Sequence, residues 1–343
     1  MGKIISVANP KGGVGKTITS INLAASLAYL NQKVLLIDLD PKGDASKGIG
    51  IDTSCVEYNI YSIMLQHENI RKAIIRTKYS NLDVIAGSMN MAGFDIESQS
   101  IDNKQNILKD SINEVKEEYD FIIIDCPPSL TSLTENAFSS SNSVLIPMQC
   151  EFFSMEVISQ LLNTILRVQR SANNNLQIEG VLLTMCDFRT KIAISVQQEV
   201  RQIFKDKVYT FGIPRNIRLV ESTYKGRPII DYDVKCNSAK NYILLAKEVI
   251  NNKFKSLENM MILPDEDEIA KHTTKDSKIL DLGTAAGEKL LKHFPICSEI
   301  LGTDFSKEMI NSAKNNKREC FLWDYRKKIK VYCKFILSKN WLK

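Results

Sequence analysis

The segment that most constrains this chain is the glycine-rich run PKGGVGKT at residues 10–17. A short apolar run precedes it at residues 4–8, and a run with helical periodicity follows at residues 19–30. A strand, a glycine-rich turn and a helix form the layout of a phosphate-binding loop, in which backbone N–H groups surround phosphate oxygens. Side chains on the glycines would block that approach. The layout predicts that Lys16 reaches the β- and γ-phosphates of a nucleotide and that the Thr17 hydroxyl coordinates Mg²⁺.

The run departs from the usual G-x-x-x-x-G-K-[ST] pattern, because Pro10 stands at the first glycine position and Lys11 precedes the double glycine. This form, KGGVGKT, resembles the deviant loop of the ParA/MinD class of Walker-type ATPases. The resemblance implies binding of ATP and Mg²⁺, and it implies that Lys11 reaches across a dimer interface to the partner's nucleotide. It assigns the following loop residues to the nucleotide: Lys11, Gly12, Gly13, Val14, Gly15, Lys16, Thr17 and Ile18.

Two acidic motifs follow the loop along the chain. The apolar run at residues 33–37 ends at Asp38 and Asp40, and the run at residues 121–124 ends at Asp125. Nearly continuous apolar runs of this kind are typical of parallel strands buried on both faces, whose carboxyl ends carry the sites of open α/β sheets. The two motifs resemble the second and third signatures of the same ATPase class.

That resemblance implies a role for each carboxylate. Asp38 would hold a Mg²⁺-bound water, Asp40 would orient or activate the attacking water, and Asp125 would bind Mg²⁺ through water. The expected catalytic residues are therefore Lys11, Lys16 and Asp40, and the expected metal residues are Thr17, Asp38 and Asp125. Three positions differ from the family pattern without removing a catalytic group: Lys42 replaces glutamine, Asp44 replaces asparagine and Ile18 replaces threonine.

Strands and helices alternate along most of the chain, which predicts an α/β fold with a doubly wound, mostly parallel sheet of the P-loop NTPase type. The predicted strands are residues 4–8, 33–37, 82–87, 121–124, 143–147 and 178–183. The predicted helices are residues 19–30, 104–118, 155–171, 195–204 and 238–254, with one or two short helices within 58–76.

Segments in the second half of the ATPase region resemble its chromosome- and plasmid-partition branch, ParA/Soj, more than MinD. They lie at residues 184–190, 212–219 and 224–229. In that branch the Pro-Arg-Asn segment borders the adenine, so the resemblance adds Pro214 and Asn216 to the nucleotide site.

The same branch implies nonspecific DNA contacts through Arg189 and Arg218, with Lys225 and Arg227 as weaker candidates. Arginine pairs with phosphate bidentately, and phosphate contacts supply sequence-independent affinity. Solvated surface arginines are the ordinary alternative, because most basic side chains are simply exposed.

The function that the resemblance implies is DNA partition by an ATPase in the cytoplasm, associated with the nucleoid. ATP would drive formation of a homodimer that binds nonspecific DNA, and a ParB-like centromere-binding protein would stimulate hydrolysis and release. A MinD-like membrane-positioning ATPase is the alternative, but the last predicted helix lacks a basic amphipathic tip. Electron transfer of the nitrogenase-reductase kind is not favoured, because Cys126 and Cys150 are not spaced as an obvious cluster pair.

The remainder of the chain has a different pattern. The ATPase resemblance covers residues 1–255, an acidic linker is expected at 256–276, and residues 277–343 form a separate segment. Residues 277–316 resemble the start of a class I S-adenosylmethionine-dependent methyltransferase, with Asp281, Gly283, Gly287 and Asp304 as candidate cofactor residues. We expect a small, incomplete Rossmann-like fragment, because a complete domain of this kind needs about seven strands and a short piece buries too little apolar surface.

Composition excludes several other classes. The chain has 343 residues and a net charge of +5, which permits contact with nucleic acid without requiring it. Its eight cysteines are scattered without a C-x-x-C pair, which indicates free thiols rather than a disulfide framework or a zinc site. No apolar run reaches the roughly 18 residues that a membrane-spanning helix needs.

Overall fold

The computed structural model describes residues 2–150, 155–187, 191–260, 278–282, 299–304 and 320–322. The chain divides into two compact units, Met1–Phe254 and Lys255–Lys343. Each unit is considered by itself below.

The first unit is built on a seven-stranded sheet in the order β3-β4-β2-β5-β1-β6-β7. Every neighbouring pair is parallel except β3 and β4, which are antiparallel. The strands are β1 (Lys3–Val7), β2 (Val34–Asp38), β3 (Ile74–Arg76), β4 (Leu82–Ile85), β5 (Phe121–Asp125), β6 (Ser143–Gln149) and β7 (Gln177–Thr184).

Helices connect these strands and cover both faces of the sheet. They are α1 (Lys16–Tyr29), α2 (Asp44–Gly48), α3 (Ile60–Met64), α4 (Ile70–Ala73), α5 (Phe94–Glu97), α6 (Ile107–Asn113), α7 (Ser132–Ser140), α8 (Met155–Ser171), α9 (Lys191–Phe204), α10 (Ile217–Tyr224), α11 (Ile229–Tyr232) and α12 (Asn237–Met260). Among the described residues, none of the helices combines the length and the apolar character that crossing a bilayer requires.

The core consists of two apolar layers separated by the sheet. Alternate residues of β5 point to opposite faces, so Ile122 and Ile124 belong to one layer while Phe121 and Ile123 belong to the other. Helices α6, α7 and α8 cover the first layer, and α1 and α12 cover the second. All residues of β5 are fully buried, and each large apolar side chain of this kind contributes about 1.5–3 kcal/mol to folding.

The observed architecture confirms the predicted fold class, with local differences. Ile74 and Ile75 form the antiparallel edge strand β3 inside a region predicted to be helical, because their β-branched side chains pair with β4. Helix α6 is shorter than the predicted helix at 104–118, since 3₁₀ turns occupy Lys104–Asn106 and Lys116–Glu118. Helices α7, α10 and α11 were not predicted at all.

The second unit contains three described strands, β8 (Lys278–Leu282), β9 (Glu299–Asp304) and β10 (Cys320–Leu322). They form a parallel sheet in the order β10-β9-β8. Asp281 lies within β8 and Asp304 is the last residue of β9. The predicted cofactor residues Gly283 and Gly287 lie outside the described residues.

Candidate active site

The glycine-rich loop connects β1 to α1 at the carboxyl edge of the sheet. Gly13 and Gly15 have φ values of 74° and 87°, in the left-handed region that glycine adopts without strain. A Cβ atom added to Gly12 or Gly13 would meet no heavy atom within 4 Å, so the space above this part of the loop is open. Helix α1 begins at Lys16 without a side-chain cap, and its first N–H groups have no partner within the helix. The loop therefore provides an anion site of the predicted kind.

Side chains from other strands hold this loop in place. The Thr184 hydroxyl, at the end of β7, donates a 2.8 Å hydrogen bond to the Val14 carbonyl. The Asn9 side chain accepts from the Lys11 amide at 2.9 Å and donates to the Pro147 carbonyl at 2.8 Å. The sequence analysis did not identify Asn9 and Thr184 as residues that hold the loop. Neither belongs to the glycine-rich motif, and their contacts with distant segments form only in the folded chain.

The two lysines of the loop have different environments. Lys16 is buried, and its Nζ atom lies 3.1 Å from the Lys11 carbonyl oxygen. Burial lowers the pKa of the Lys16 ammonium, and the nearby Asp125 carboxylate opposes that shift. The Lys11 side chain is exposed at the outer part of the loop. Lys16 is thus directed into the loop, whereas Lys11 is accessible to another molecule.

Two carboxylates lie side by side below the loop. Asp38 and Asp125 end the neighbouring strands β2 and β5, occupy paired positions and are both fully buried. The Thr17 and Ser20 hydroxyls donate to Asp125 at 2.9 and 2.7 Å. The Ser46 hydroxyl and amide donate to Asp38 Oδ2 at 2.6 and 2.8 Å. The fold therefore brings together the three predicted metal residues, while Ser20 and Ser46 were missed.

This oxygen-rich cluster fits a magnesium ion. Asp38 Oδ1 is buried and has no hydrogen-bond partner within 3.5 Å among the described residues. Burial raises the pKa of both Asp38 and Asp125; the Asp38 carboxylate further raises the pKa of Asp125, and the Asp40 carboxylate further raises the pKa of Asp38. A divalent cation would relieve this cost, and carboxylate and hydroxyl oxygens are ligands that Mg²⁺ accepts. Among the described residues, no group of three or more His, Cys, Asp and Glu side chains converges as a metal site.

The third carboxylate, Asp40, lies just beyond this pair and is 8% exposed. Its Oδ1 atom accepts a 3.0 Å hydrogen bond from the Lys42 amide, which orients the carboxylate. Gly87, after β4, packs directly on this region: a Cβ atom there would lie 3.0 Å from Asp38 Cγ and 3.0 Å from the Asp40 carbonyl oxygen. Gly87 also donates its amide to the Ser46 hydroxyl at 3.0 Å. The segment that follows β2 and carries Asp40 is therefore held in position by Gly87, which belongs to none of the sequence motifs.

Comparison with known proteins gives a consistent assignment. Residues 2–178 match the family model described as an AAA domain. The sporulation initiation inhibitor protein Soj of Bacillus subtilis is 50% identical over 252 residues, which cover 74% of this chain and 100% of Soj. The chain belongs to the ParA/Soj family. The chromosome partitioning protein ParA of Myxococcus xanthus is 44% identical over 250 residues, covering 73% of this chain and 88% of that protein.

A solved structure agrees with the ParA-type fold. Cobyrinic acid a,c-diamide synthase from Mycobacterium smegmatis, with bound ADP and magnesium, superposes with a TM-score of 0.67 at 28% identity. The match covers 75% of this chain and 97% of the synthase.

The segment expected to border the adenine in this ParA-family chain lies beyond β7. Pro214 forms an isolated bridge with Cys186, and Asn216 is the N-cap of α10, where its Oδ1 atom accepts from the Arg218 amide at 2.9 Å. The Asn216 side-chain nitrogen donates to the Ser238 hydroxyl at 3.0 Å. Both atoms of the Asn216 amide are thus used within the fold, and the expected contact with adenine stays a prediction.

Two of the expected DNA residues of this ParA-family chain, Arg218 and Lys225, lie on one described segment. Arg218 is on α10 and Lys225 follows its last turn, and both side chains are exposed. Arg189 lies outside the described residues. Gly226, next to Lys225, has a φ of 62° and packs so closely that an added Cβ atom would lie 2.9 Å from Gly50 Cα. The segment therefore packs directly against the C-terminal end of α2.

Proposed function

We propose that this ParA-family protein hydrolyses ATP to ADP and phosphate with Mg²⁺ and uses the ATP state to bind DNA during partition of a chromosome or plasmid. The observation that carries the proposal is the buried Asp38–Asp125 pair beneath an open glycine loop, with Thr17 beside it. The Myxococcus xanthus relative named chromosome partitioning protein ParA, at 44% identity, supports the same assignment.

Each side chain would have a defined part in hydrolysis. The Thr17 hydroxyl would hold Mg²⁺ directly, and the carboxylates of Asp38 and Asp125 would hold it through water. The ion would supply neutralisation of charge on the phosphate oxygens. Lys16 would bind the β- and γ-phosphates from within the loop. Asp40 would orient the attacking water, and the hydrogen bond that its Oδ1 atom accepts from the Lys42 amide would fix the direction of the carboxylate.

We propose that two subunits close around ATP, with the exposed Lys11 of each reaching the other's nucleotide. Arg189, Arg218 and Lys225 would then bind DNA phosphates, and the doubled surface in the dimer would bind better than either half alone. These DNA contacts would place the ATP-bound dimer on the nucleoid, and a ParB-like partner would stimulate hydrolysis and release.

The test is retention of the full chain on nonspecific DNA with ATP or with ADP. We expect strong retention only with ATP, and we expect Lys11→Ala to reduce it to the ADP level. Lys33→Ala is the matched control, because Lys33 is an exposed lysine at the opposite end of β2 from Asp38. Equal retention in both nucleotide states would contradict the proposal, and ATP-dependent sedimentation with anionic vesicles instead of DNA would favour the MinD-like alternative.

For residues 277–343 we propose a methyltransferase-like fragment that follows a linker at 256–276 and the ATPase domain at 1–255. Support comes from the parallel order β10-β9-β8 and from the position of Asp304 at the carboxyl end of the second strand. Equilibrium dialysis of the full chain with S-adenosylmethionine tests this proposal, and binding that Asp304→Ala does not weaken would contradict the assigned site.

A further inference from the structure

Arg218 lies next to a carboxylate that holds it only loosely. Its Nε atom is 3.8 Å from Asp233 Oδ2, at the outer limit of an ion pair. The two side chains are 54% and 28% exposed. At that distance and exposure the guanidinium keeps most of its donor capacity for another anion.

A neighbouring arginine provides a contrast. Arg227 donates from Nε to Asp231 Oδ2 and from Nη2 to the Asp231 carbonyl, both at 2.7 Å. The pKa of Asp231 is lowered, mainly by this hydrogen bond from Arg227. Arg227 is therefore committed to a partner within the fold, whereas Arg218 is not.

The ring of Tyr232 lies near both guanidinium groups. Arg218 Cζ is 6.0 Å and Arg227 Cζ is 5.7 Å from the ring centroid, and the Tyr232 hydroxyl donates to Glu221 at 3.2 Å. Contact with an aromatic face restricts where an arginine head can go. Tyr232 thus keeps Arg218 within reach of Asp233.

We infer that Asp233 competes with DNA phosphate for Arg218 and thereby weakens DNA binding in the ATP state. Carboxylate and phosphate oxygens use the same guanidinium donors, so the attraction of Asp233 reduces, without abolishing, the availability of Arg218 to a phosphate. The inference rests on the proposed DNA-binding function and concerns the regulation of that same surface. Removing the competitor frees an arginine, and the measured energies of exposed ion pairs correspond to a gain in affinity of about two- to fivefold.

The experiment is a double-mutant cycle on DNA binding by the full chain with ATP and Mg²⁺, measured by fluorescence anisotropy on a nonspecific duplex. The variants are Asp233→Asn, Arg218→Ala and the two combined. Glu118→Gln is the control, because Glu118 is an exposed carboxylate paired with Arg71 and its change alters the net charge equally. ATP binding by each variant verifies that the fold is intact.

We expect Asp233→Asn to strengthen DNA binding about two- to fivefold, with no gain in the Arg218→Ala background and none for Glu118→Gln. A gain that persists without Arg218 would overturn the inference, since it would reflect net charge alone. No gain for Asp233→Asn, with weaker binding for Arg218→Ala, would overturn the inference and leave the proposed function standing. Unchanged binding for Arg218→Ala would instead remove Arg218 from the DNA surface, and the inference with it.

Discussion

Replacement of Ser46 by alanine tests how the acidic site is held together. The Ser46 hydroxyl donates to the buried Asp38 carboxylate at 2.6 Å and accepts from the Gly87 amide at 3.0 Å. A hydrogen bond to a charged group contributes about 1.5–3 kcal/mol, and a buried donor left unpaired costs about 1–3 kcal/mol. We therefore expect Ser46→Ala to lower the free energy of unfolding by about 2–5 kcal/mol at a pH where Asp38 is ionised.

The assay is calorimetric unfolding of the full chain, followed through the transition of the first unit. For a domain of this size each kcal/mol shifts the melting temperature by about 2–4 °C, so the expected decrease is roughly 4–20 °C. The loss of the Ser46 bond also raises the pKa of Asp38 further, because that bond stabilises the charged form. Binding of ATP with Mg²⁺ is expected to weaken in parallel.

Ser54→Ala is the matched control. Its hydroxyl donates to Asp52 at 2.7 Å, the same chemistry at an exposed position. Water replaces an exposed hydrogen bond, so we expect no measurable shift in the melting temperature. A decrease for Ser46→Ala no larger than that for Ser54→Ala would refute the argument that burial makes the Ser46 contact strong.

Two further predictions concern the same site. Without Mg²⁺, the raised pKa values of Asp38 and Asp125 mean that the folded state retains protons that the unfolded state releases, so the melting temperature falls as pH rises from the ordinary value of 3.8 to about 8. Added Mg²⁺ should flatten that slope, and a melting temperature independent of pH in EDTA would argue against a strained pair. Gly87→Ala should weaken binding of ATP with Mg²⁺ about 5- to 100-fold by calorimetric titration, because overpacking costs about 1–3 kcal/mol. Gly93→Ala is its control, since the new methyl group meets only the flexible end of Glu97, and equal losses would contradict the steric argument.

Much of the fold follows from local patterns. The apolar runs that end in Asp38 and Asp125 predicted buried parallel strands, and the structure has them as neighbours with those residues paired. The glycine loop predicted a strand before it and a helix after it, and β1 and α1 occupy those places. Such predictions succeed because hydrophobic periodicity and the backbone freedom of glycine act over a few residues.

Patterns of this range could not locate the antiparallel strand β3 or the helix α10. Strand β3 exists because Ile74 and Ile75 pair with β4. Helix α10 has a short, mostly exposed sequence, and it begins where Asn216 caps it. Tertiary contacts therefore decided elements whose local propensity was weak.

By itself the sequence determined the chemistry of the glycine-rich loop and the order of the acidic motifs that follow it, because the spacing along the chain sets which side chains lie at the end of each strand. Only the tertiary structure decided what surrounds them. Ser46 and Gly87 are 41 residues apart, and Thr184 reaches Val14 across 170 residues of chain. The pairing of Arg218 with Asp233 likewise depends on how α10 and α11 pack. Burial and hydrogen bonding between distant segments have no signature in a linear pattern, because their energies exist only once the core has formed.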